Sequence, residues 1–375
     1  MTEAELKQSK PPLRTSVKVR FAVAAALALL CPVLLVLFSN FGEAFFPAYR
    51  NFTKALLGTL ALVASIAPFA LWDFLAVILA VALLVSLTRR IVAKRPLAPL
   101  FSTAACVLAA TAALFVGGWA VNHYAPPLAD DLGMDVEQYS TEQLAEACAY
   151  YLQAASLLAP EVPRTEDGEM VAQDFFELAR IAGGSYANIS GTYPVFEGST
   201  APVKALLLAG EPLLASGHVG IFFSPTAESS VPLNCAPAEM PFTMCHEAAH
   251  RLGLASEEEA NFAAILASTA SDDVRFQYAG YYLAFCYCHN ALSDESPELA
   301  QAVYDWAGQT SFAEGANLVA SDRYATYLHY LPYEGPAKET GEQVNDTYLK
   351  TFGEESGVKS YGMVVDYLIA WHNQS

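Results

Sequence analysis

The stretch Met244–Asn261, MCHEAAHRLGLASEEEAN, predicts a helix, a turn and a second helix. His246 and His250 are four residues apart, so a helix places both imidazoles on one face, where they can share a metal ion. Gly253 can end that helix in the left-handed conformation, and Ser256 can cap the start of the next one. The stretch therefore predicts two helices that meet at a turn and carry ionisable side chains toward each other.

The second helix begins with three candidates for a third metal ligand, Glu257, Glu258 and Glu259. Ser256 and Glu259 match the spacing of a capping box, which gives Glu259 a structural alternative. Asn261 lies on the same helix face as Glu257, where it can donate to Glu257 or orient a histidine. We therefore expect Glu257 to be the ligand, with Glu259 and then Glu258 as alternatives.

Two histidines and one carboxylate with a fourth position open to water favour zinc (Zn2+), although similar donor sets hold other divalent ions. Glu247 follows His246 and is rotated from the ligand axis, which suits it to act as general base on water rather than as a ligand. An HExxH pattern arises by chance on the order of once in a hundred chains of this size. The alternative, a surface histidine pair, leaves the turn glycine and the acidic helix start unexplained.

The composition separates two regions of the chain. Hydrophobic residues make up 54% of the 375 residues and charged residues only 16%, which is too apolar for an ordinary soluble protein. Residues 1–120 hold eleven Lys or Arg and four acids, whereas residues 121–375 hold nine bases and thirty-five acids. The acidic excess argues against a nucleic-acid partner, because phosphate binding needs clustered Lys and Arg.

Uncharged runs predict three transmembrane helices after a basic cytoplasmic N-terminus at 1–20. Residues 21–42 carry no charge, and a helix of this length spans the roughly 30 Å hydrocarbon core. Pro68 divides the next run, which favours an interfacial helix followed by one span over a pair of short spans. Four spans would also place Arg89 and its basic neighbours outside, against the positive-inside rule. The expected spans are about 21–40, 70–88 and 99–121, with the interfacial helix at about 44–67, and they place residues 123–375 outside the cytoplasm.

The remaining domain at 123–375 is expected to be mainly α with a minor β element. Short apolar runs at 219–223 and 231–234 predict a β-hairpin. Five cysteines in this domain form no recognised framework and are interpreted as buried thiols without disulfides. Helical periodicity predicts helices at about 136–158, 168–183, 202–214, 242–252, 256–270, 272–290, 296–308, 313–331, 341–351 and 357–372.

The metal motif followed by Glu257-x-x-Ala-Asn261 resembles the gluzincin pattern of the zincin superfamily, in which a glutamate heading an ExxA(D/N) helix completes the site. Asn261 departs from the Asp that many gluzincins have. Nearly the full chain also resembles a bacterial family of unknown function, whose members are three-pass membrane proteins with an HExxH outer domain. The matching stretches are FGEAFFP (41–47), APFA (67–70), FFSP (222–225), the metal motif, VNDTYLK (344–350) and SYG (360–362).

The resemblance implies a zincin-like metallopeptidase domain of the α+β class, in which an edge strand beside the metal helix pairs with extended substrate. The hairpin at 219–234 is the candidate strand, and Glu228 within it is expected to be an exposed turn carboxylate, with capping or substrate contact as alternatives. The resemblance makes Tyr361 the first candidate for a catalytic hydrogen-bond donor to the transition state. Tyr348, His289 and Arg323 follow as alternatives.

The sequence thus predicts a membrane-anchored zinc metallopeptidase with a peptide or protein substrate and a lipid bilayer as its surroundings. The alternative is a catalytically silent zincin-like protein that binds metal or peptide as a sensor or assembly factor of the cell envelope. An intramembrane protease is disfavoured, because the motif region carries charged residues such as Arg251 and Asp272. The chain has neither the glycine motif of a serine hydrolase nor that of a phosphate-binding loop, which argues against both functions.

Overall fold

The computed structural model describes residues 14–352 and 364–374. The N-terminal part contains α1 (Thr15–Ala64), α2 (Leu71–Val92) and α3 (Ala98–Gly118), and a 3-10 turn (Ala120–Tyr124) follows α3. The C-terminal domain begins with α4 (Leu128–Leu132), α5 (Thr141–Leu158), α6 (Phe175–Gly184), α7 (Ala187–Ser190), β1 (Lys204–Leu206), α8 (Gly210–Ala215), β2 (Ile221–Phe223) and β3 (Glu228–Pro232). It continues with α9 (Met240–Arg251), α10 (Glu257–Thr269), α11 (Val274–Glu295), α12 (Pro297–Ala307), α13 (Ala313–Tyr330), α14 (Pro336–Thr351) and α15 (Val364–Gln374).

Three N-terminal helical stretches are long and apolar enough to cross a membrane, namely α1, α2 and Ala98–Tyr124. α1 packs along α3, and the side chain of Arg20 donates to Thr103 Oγ1 at 2.8 Å near one end of this pair. α2 is exposed along most of its length from Leu75 onward. Such exposure of apolar side chains fits a helix surrounded by lipid.

α1 bends sharply within its length. A Cβ atom placed on Gly117 would lie 3.2 Å from Leu34 Cδ1. A Cβ atom placed on the next residue, Gly118, would lie 3.6 Å from Leu56 Cδ2. Leu34 and Leu56 thus approach neighbouring residues of α3, although a straight helix would hold them about 33 Å apart. Pro47 lies between them and can cause the bend, because proline removes a backbone hydrogen bond.

The bend changes the predicted arrangement of the N-terminal part. The first arm of α1 covers the predicted span at 21–40, and the second arm covers most of the predicted interfacial helix at 44–67. The structure therefore has one bent helix where the sequence predicts two separate helices.

The core of the C-terminal domain lies around α9, α10 and α11, which pack on one another. Helices α5, α6, α13 and α15 pack around these three. Aromatic side chains such as Tyr151, Phe262 and Tyr282 are fully buried there. All seven cysteines are free, and most of them are buried. The histidine helix α9 is therefore held on several sides by packed helices.

A three-stranded sheet in the order β1-β3-β2 lies beside α9. β2 and β3 pair antiparallel, which confirms the predicted hairpin, and β1 pairs parallel to β3. The prediction of a helix over 202–214 is wrong at Lys204–Leu206, which form β1, and helix begins only at Gly210. The apolar run there is compatible with either structure, and pairing with β3 decides for the strand.

Most of the other predicted helices are present, with shifted ends. The predictions at 136–158, 242–252, 256–270, 272–290, 296–308, 313–331 and 341–351 correspond to α5 and to α9 through α14. The helix predicted at 168–183 begins only at Phe175, where Asp174 caps it. Of the helix predicted at 357–372, the part from Val364 onward lies within the described residues and is helical.

Buried charges join the sheet to the turn between α1 and α2. Lys204 Nζ donates to Ala64 O at 3.0 Å and to Ala67 O, so it caps the carboxyl end of α1. Glu228 accepts hydrogen bonds from the backbone N–H groups of Leu71 and Trp72 at 2.7 and 3.1 Å, so it caps the amino end of α2. Both charges complement the helix dipole at the end that they cap.

Glu228 is therefore not the exposed turn carboxylate that the sequence predicts. Its side chain is only 1% exposed, and Thr226 Oγ1 also donates to it at 2.8 Å. In the opposite direction, Asp73 of α2 accepts hydrogen bonds from the backbone N–H groups of Leu207, Leu208 and Ala209 at 2.7 to 3.0 Å. The α1–α2 turn and the sheet thus satisfy each other's backbone groups.

Candidate metal centre

The two histidines of α9 lie on one face of the helix, as their spacing predicts. Their Nε2 atoms are 3.1 Å apart and their ring planes are perpendicular. Both side chains lie largely within the protein, with 13% of His246 and 7% of His250 exposed. Two imidazole nitrogens at this separation can bind one ion between them after a small rotation of either ring.

Glu257 completes a group of three metal-ligating side chains. Gly253 has φ of +97° and turns the chain at the end of α9, so that α10 begins with Glu257 beside the histidines. Glu257 Oε2 lies 3.3 Å from His246 Nε2, and Oε1 lies 3.7 Å from His250 Nε2. The donor atoms of the three residues all lie within 4.8 Å of one another.

The backbone orients His250 for metal binding. His250 Nδ1 lies 2.7 Å from Leu254 O, in the turn that Gly253 starts. Because a carbonyl oxygen only accepts, Nδ1 carries the proton and Nε2 keeps its lone pair toward the cluster. This outer hydrogen bond is the usual companion of a histidine ligand. The donor set and its orientation therefore fit a zinc ion.

The protonation states of His250 and Glu257 suit metal binding. Burial lowers the pKa of His250 to about 4, so the imidazole is neutral at pH 7. Burial alone would raise the pKa of Glu257, but the hydrogen bond with His246 and the charges of the nearby histidines lower it to about 2. Burial also acts to lower the pKa of His246, yet its hydrogen bond with Glu257 raises it, with a smaller contribution from Asn261. Asn261 is thus placed beside the predicted site.

Glu247 lies beneath the edge strand of the sheet. Its side chain is buried, and Ser229 Oγ of β3 donates to the Glu247 carbonyl oxygen at 2.6 Å. A Cβ atom placed on Gly220, immediately before β2, would lie 2.3 Å from Glu247 Oε1. Burial raises the pKa of Glu247 to about 8. The carboxyl group thus occupies space that only a glycine leaves open.

Glu259 has a different role from that of a ligand. Its Oε1 accepts hydrogen bonds from Leu128 N at 2.7 Å and from the Tyr367 hydroxyl at 3.2 Å. Ser256 Oγ accepts from the Glu259 amide, so one half of the predicted capping box is present. The Glu259 side chain supports the start of α4 instead of returning to Ser256. Neither Glu258 nor Glu259 belongs to the metal-ligating group among the described residues.

The predicted hydrogen-bond donors to the transition state lie in different places relative to the candidate site. Tyr361 lies outside the described residues. Tyr348 of α14 is in contact with His123, whose Nε2 lies 3.1 Å from the Tyr348 hydroxyl oxygen. Arg323 Nη1 donates to His289 Nδ1 at 2.8 Å, and this pair bonds to neighbouring side chains of α11 rather than to the cluster.

His123 carries no sequence motif, yet it lies near the site in the 3-10 turn after α3. Burial raises the pKa of Glu257, and His123 adds to the larger opposite effect of His246 and His250, which lower it. The sequence feature that could have pointed to His123 is its position at the end of a predicted span, because a polar residue there can face the domain that follows. His123 and Tyr348 therefore lie near the metal-ligating group from outside α9 and α10.

Trp119, the first residue after α3, contacts the histidine helix directly. Its Nε1 donates to His250 O at 2.9 Å, and its ring lies edge-on to the His250 ring at 5.9 Å between centroids. The metal-ligating helix is thus fixed to the end of a candidate span by both a hydrogen bond and a ring contact.

Comparison with known proteins identifies a family but no activity. A protein-family model described as "Protein of unknown function (DUF3810)" matches residues 49–369, which is most of the chain and includes the metal-ligating group. No curated protein and no solved structure matches the chain.

Proposed function

Because the chain belongs to the DUF3810 family, whose function is unknown, its activity has to be inferred from the site, and we propose that it is a membrane-anchored zinc metallopeptidase. The observation that supports this most is the group His246, His250 and Glu257, with donor atoms within 4.8 Å of one another and a buried Glu247 beside it. A purely structural zinc site has no use for a general base that is not a ligand.

The three side chains would hold the ion and leave one coordination position open. When bound, zinc would act as a Lewis acid toward a water molecule and the substrate carbonyl. Glu247 accepts a proton from the attacking water and returns it to the leaving amine. Its pKa, raised by burial to about 8, brings the proton affinity of the carboxylate near the working pH. The surrounding buried residues of α9 exclude bulk water from this transfer.

The edge strand β2 offers a way to bind peptide. Among the described residues β2 pairs with β3 alone, so its other edge can pair with an extended chain. Gly220 brings the start of this strand against the Glu247 carboxyl group. A peptide added to β2 would therefore run past the general base, with its backbone fixed by strand hydrogen bonds.

Tyr348 and His123 are the proposed donors to the developing oxyanion. The two side chains contact each other at 3.1 Å, so each limits the conformations of the other. The Phe352 ring stacks on the His123 ring, with centroids 5.1 Å apart, and so restricts the orientation of His123. Such preorganised donors stabilise the charge that appears on the carbonyl oxygen during attack.

The C-terminal domain is proposed to lie outside the cytoplasm. The basic residues at the far ends of α2 and α3, Arg89, Arg90, Lys94 and Arg95, favour the cytoplasmic side. A reporter fused after Ser375 tests this topology, because it should be active only outside the cytoplasmic membrane. Activity of a cytoplasmic reporter at this position would contradict the proposal.

The variant Glu247→Gln separates an enzyme from a sensor that only binds. Glutamine keeps the shape of the side chain but accepts no proton, so zinc content and thermal unfolding of the full chain should stay at the wild-type level. Cleavage of a mixed peptide library should fall by about two to four orders of magnitude. Equal cleavage by both proteins at equal zinc content would reject catalysis by this site and favour the sensor.

A further inference from the structure

The candidate metal site lies beside the C-terminal end of α3, a candidate membrane span. α3 runs from Ala98 to Gly118, and a helix of this length covers about 31 Å, the thickness of the hydrocarbon core. Trp119 follows at once, and its ring centroid lies only 5.9 Å from that of His250. Tryptophan prefers the membrane–water interface, so a bound ion would lie within about 10 Å of that interface.

The edge strand β2 lies at the same level, between two such tryptophans. Phe222 contacts Trp119 at the end of α3, with ring centroids 5.7 Å apart. Phe223 stacks on Trp72 at the start of α2, with centroids 4.9 Å apart. Adjacent residues of a strand point to opposite faces. β2 is therefore held from both faces by the ends of two candidate spans.

The sheet meets an apolar surface on the side of the α1–α2 turn. Leu62, Val63 and Ile66 are 73%, 62% and 82% exposed, and Leu207 and Leu208 are about half-exposed. The backbone of the last two residues is fixed by the Asp73 carboxylate of α2. An apolar surface that continues from a candidate span fits contact with lipid. Such contact would place the sheet against the surface of the bilayer.

We propose that the substrate is the juxtamembrane segment of a membrane-anchored protein, bound as an extended strand on β2 while its anchor stays in the bilayer. This proposal rests on the proposed peptidase function and adds the substrate class. A strand rises about 3.3 Å per residue, so a gap of about 10 Å needs only about three residues between the membrane surface and the metal site. A peptide free in solution gains nothing from this placement.

Binding can be tested without turnover. The full chain with Glu247→Gln is reconstituted in vesicles, with a photoreactive phenylalanine analogue at Ile221 of β2. The probe is a randomised extended segment of about ten residues, attached to a single apolar span through helical spacers of about 0, 15 or 30 Å. Cross-linking should be strongest without a spacer and fall about tenfold or more at 30 Å, because a stiff spacer lifts the segment above the site.

Two outcomes of the binding test would overturn the proposal. One is a cross-linking yield that does not change with the spacer, and the other is a free segment that cross-links as well as the anchored one. Phe223→Ala, which loses the contact with Trp72, should reduce cross-linking of the anchored segment. Trp306→Ala changes an exposed aromatic residue of α12 and should leave the yield unchanged. Equal effects of these two variants would also contradict the proposal.

The same probes with the wild-type chain distinguish a failure of this proposal from a failure of the proposed function. Spacer-dependent cross-linking without cleavage by the zinc-loaded wild type would uphold binding of a membrane-anchored segment and reject the peptidase. Cleavage of the free segment as fast as the anchored one would uphold the peptidase and reject the membrane-anchored substrate. Mapped cleavage sites within a few residues of the anchor would support both.

Discussion

The glycine before the edge strand provides a direct test of the role of Glu247. In Gly220→Ala, the added Cβ would lie 2.3 Å from Glu247 Oε1 and 2.8 Å from both Cγ and Cδ of the same side chain. An ordinary contact needs about 3.4 Å or more, so the carboxyl group and the strand must separate by about 1 Å. The backbone at Gly220 does not require positive φ, so the effect of alanine is steric.

The expected loss follows from this displacement. A misplacement of about 1 Å in a catalytic group can cost about a hundredfold in rate. Overpacking of this kind destabilises a fold by about 1–3 kcal/mol. Because Glu247 is not among the candidate metal ligands, we expect zinc content to stay at one ion per chain. Turnover should therefore fall about a hundredfold while zinc stays bound.

The measurement compares peptide cleavage, zinc content and thermal unfolding of the full chain in detergent. Gly280→Ala is the matched control, because its Cβ would crowd Thr269 Cγ2 at 2.9 Å and Ser268 Cβ at 3.0 Å, and none of its nearest atoms belongs to Glu247. Both variants should unfold at lower temperature, but only Gly220→Ala should lose turnover. Wild-type turnover in zinc-loaded Gly220→Ala would refute the role given to Glu247.

Three further changes probe the ligand, its support and a buried carboxyl group. Glu257→Gln should weaken zinc binding by more than the roughly 10- to 100-fold that a change outside the ligands costs. Glu259→Gln should leave zinc binding within that range. If after dialysis zinc remains in Glu257→Gln and is lost from Glu259→Gln, Glu259 is the ligand. Trp119→Phe removes the donor to His250 O and should cost about 1 kcal/mol in unfolding free energy, which the same change at Trp306 should not. Burial raises the pKa of Glu239 from 4.5 to about 7, so the native state keeps a proton that the unfolded state releases, and stability should fall as pH rises through this range. Glu239→Gln should make that fall shallower in thermal unfolding between about pH 4.5 and 7, because Glu247 and Glu259, whose pKa values burial also raises, still contribute. An unchanged pH profile would contradict it.

Local sequence rules account for the candidate ligand set. The spacing of His246 and His250 and the turn at Gly253 depend on residues within one short stretch, where helix geometry alone determines the faces. The choice of Glu257 over Glu259 also follows local rules in part, because Ser256 caps the amide of Glu259. No local rule predicts the partner of the Glu259 side chain, because Leu128 lies far away in the chain.

The incorrect predictions also concern residues whose contact partners lie far away in the chain. Glu228 looks like a turn carboxylate because its donors, the amides of Leu71 and Trp72, belong to a helix more than 150 residues earlier. Residues 204–206 look helical because their pairing partner β3 lies more than 20 residues later in the chain, and no local pattern shows that the two segments pair. His123 carries no motif, and its position follows from the contact of Trp119, at the end of α3, with α9. Two of these features, Glu228 and His123, depend on contacts between the N-terminal helices and the C-terminal domain.

These contacts also determine which part of the chain can be studied alone. A fragment that starts at residue 123 would lose the donors to Glu228, the carbonyl acceptors of Lys204 and the Trp119 bond to His250 O. Leaving a buried charge without its partner costs several kcal/mol, which is a large part of the stability of a domain. The helix α9 and the edge strand are therefore positioned by contacts with the N-terminal helices. Because of this coupling, tests of the proposed zinc binding and substrate binding need the full chain.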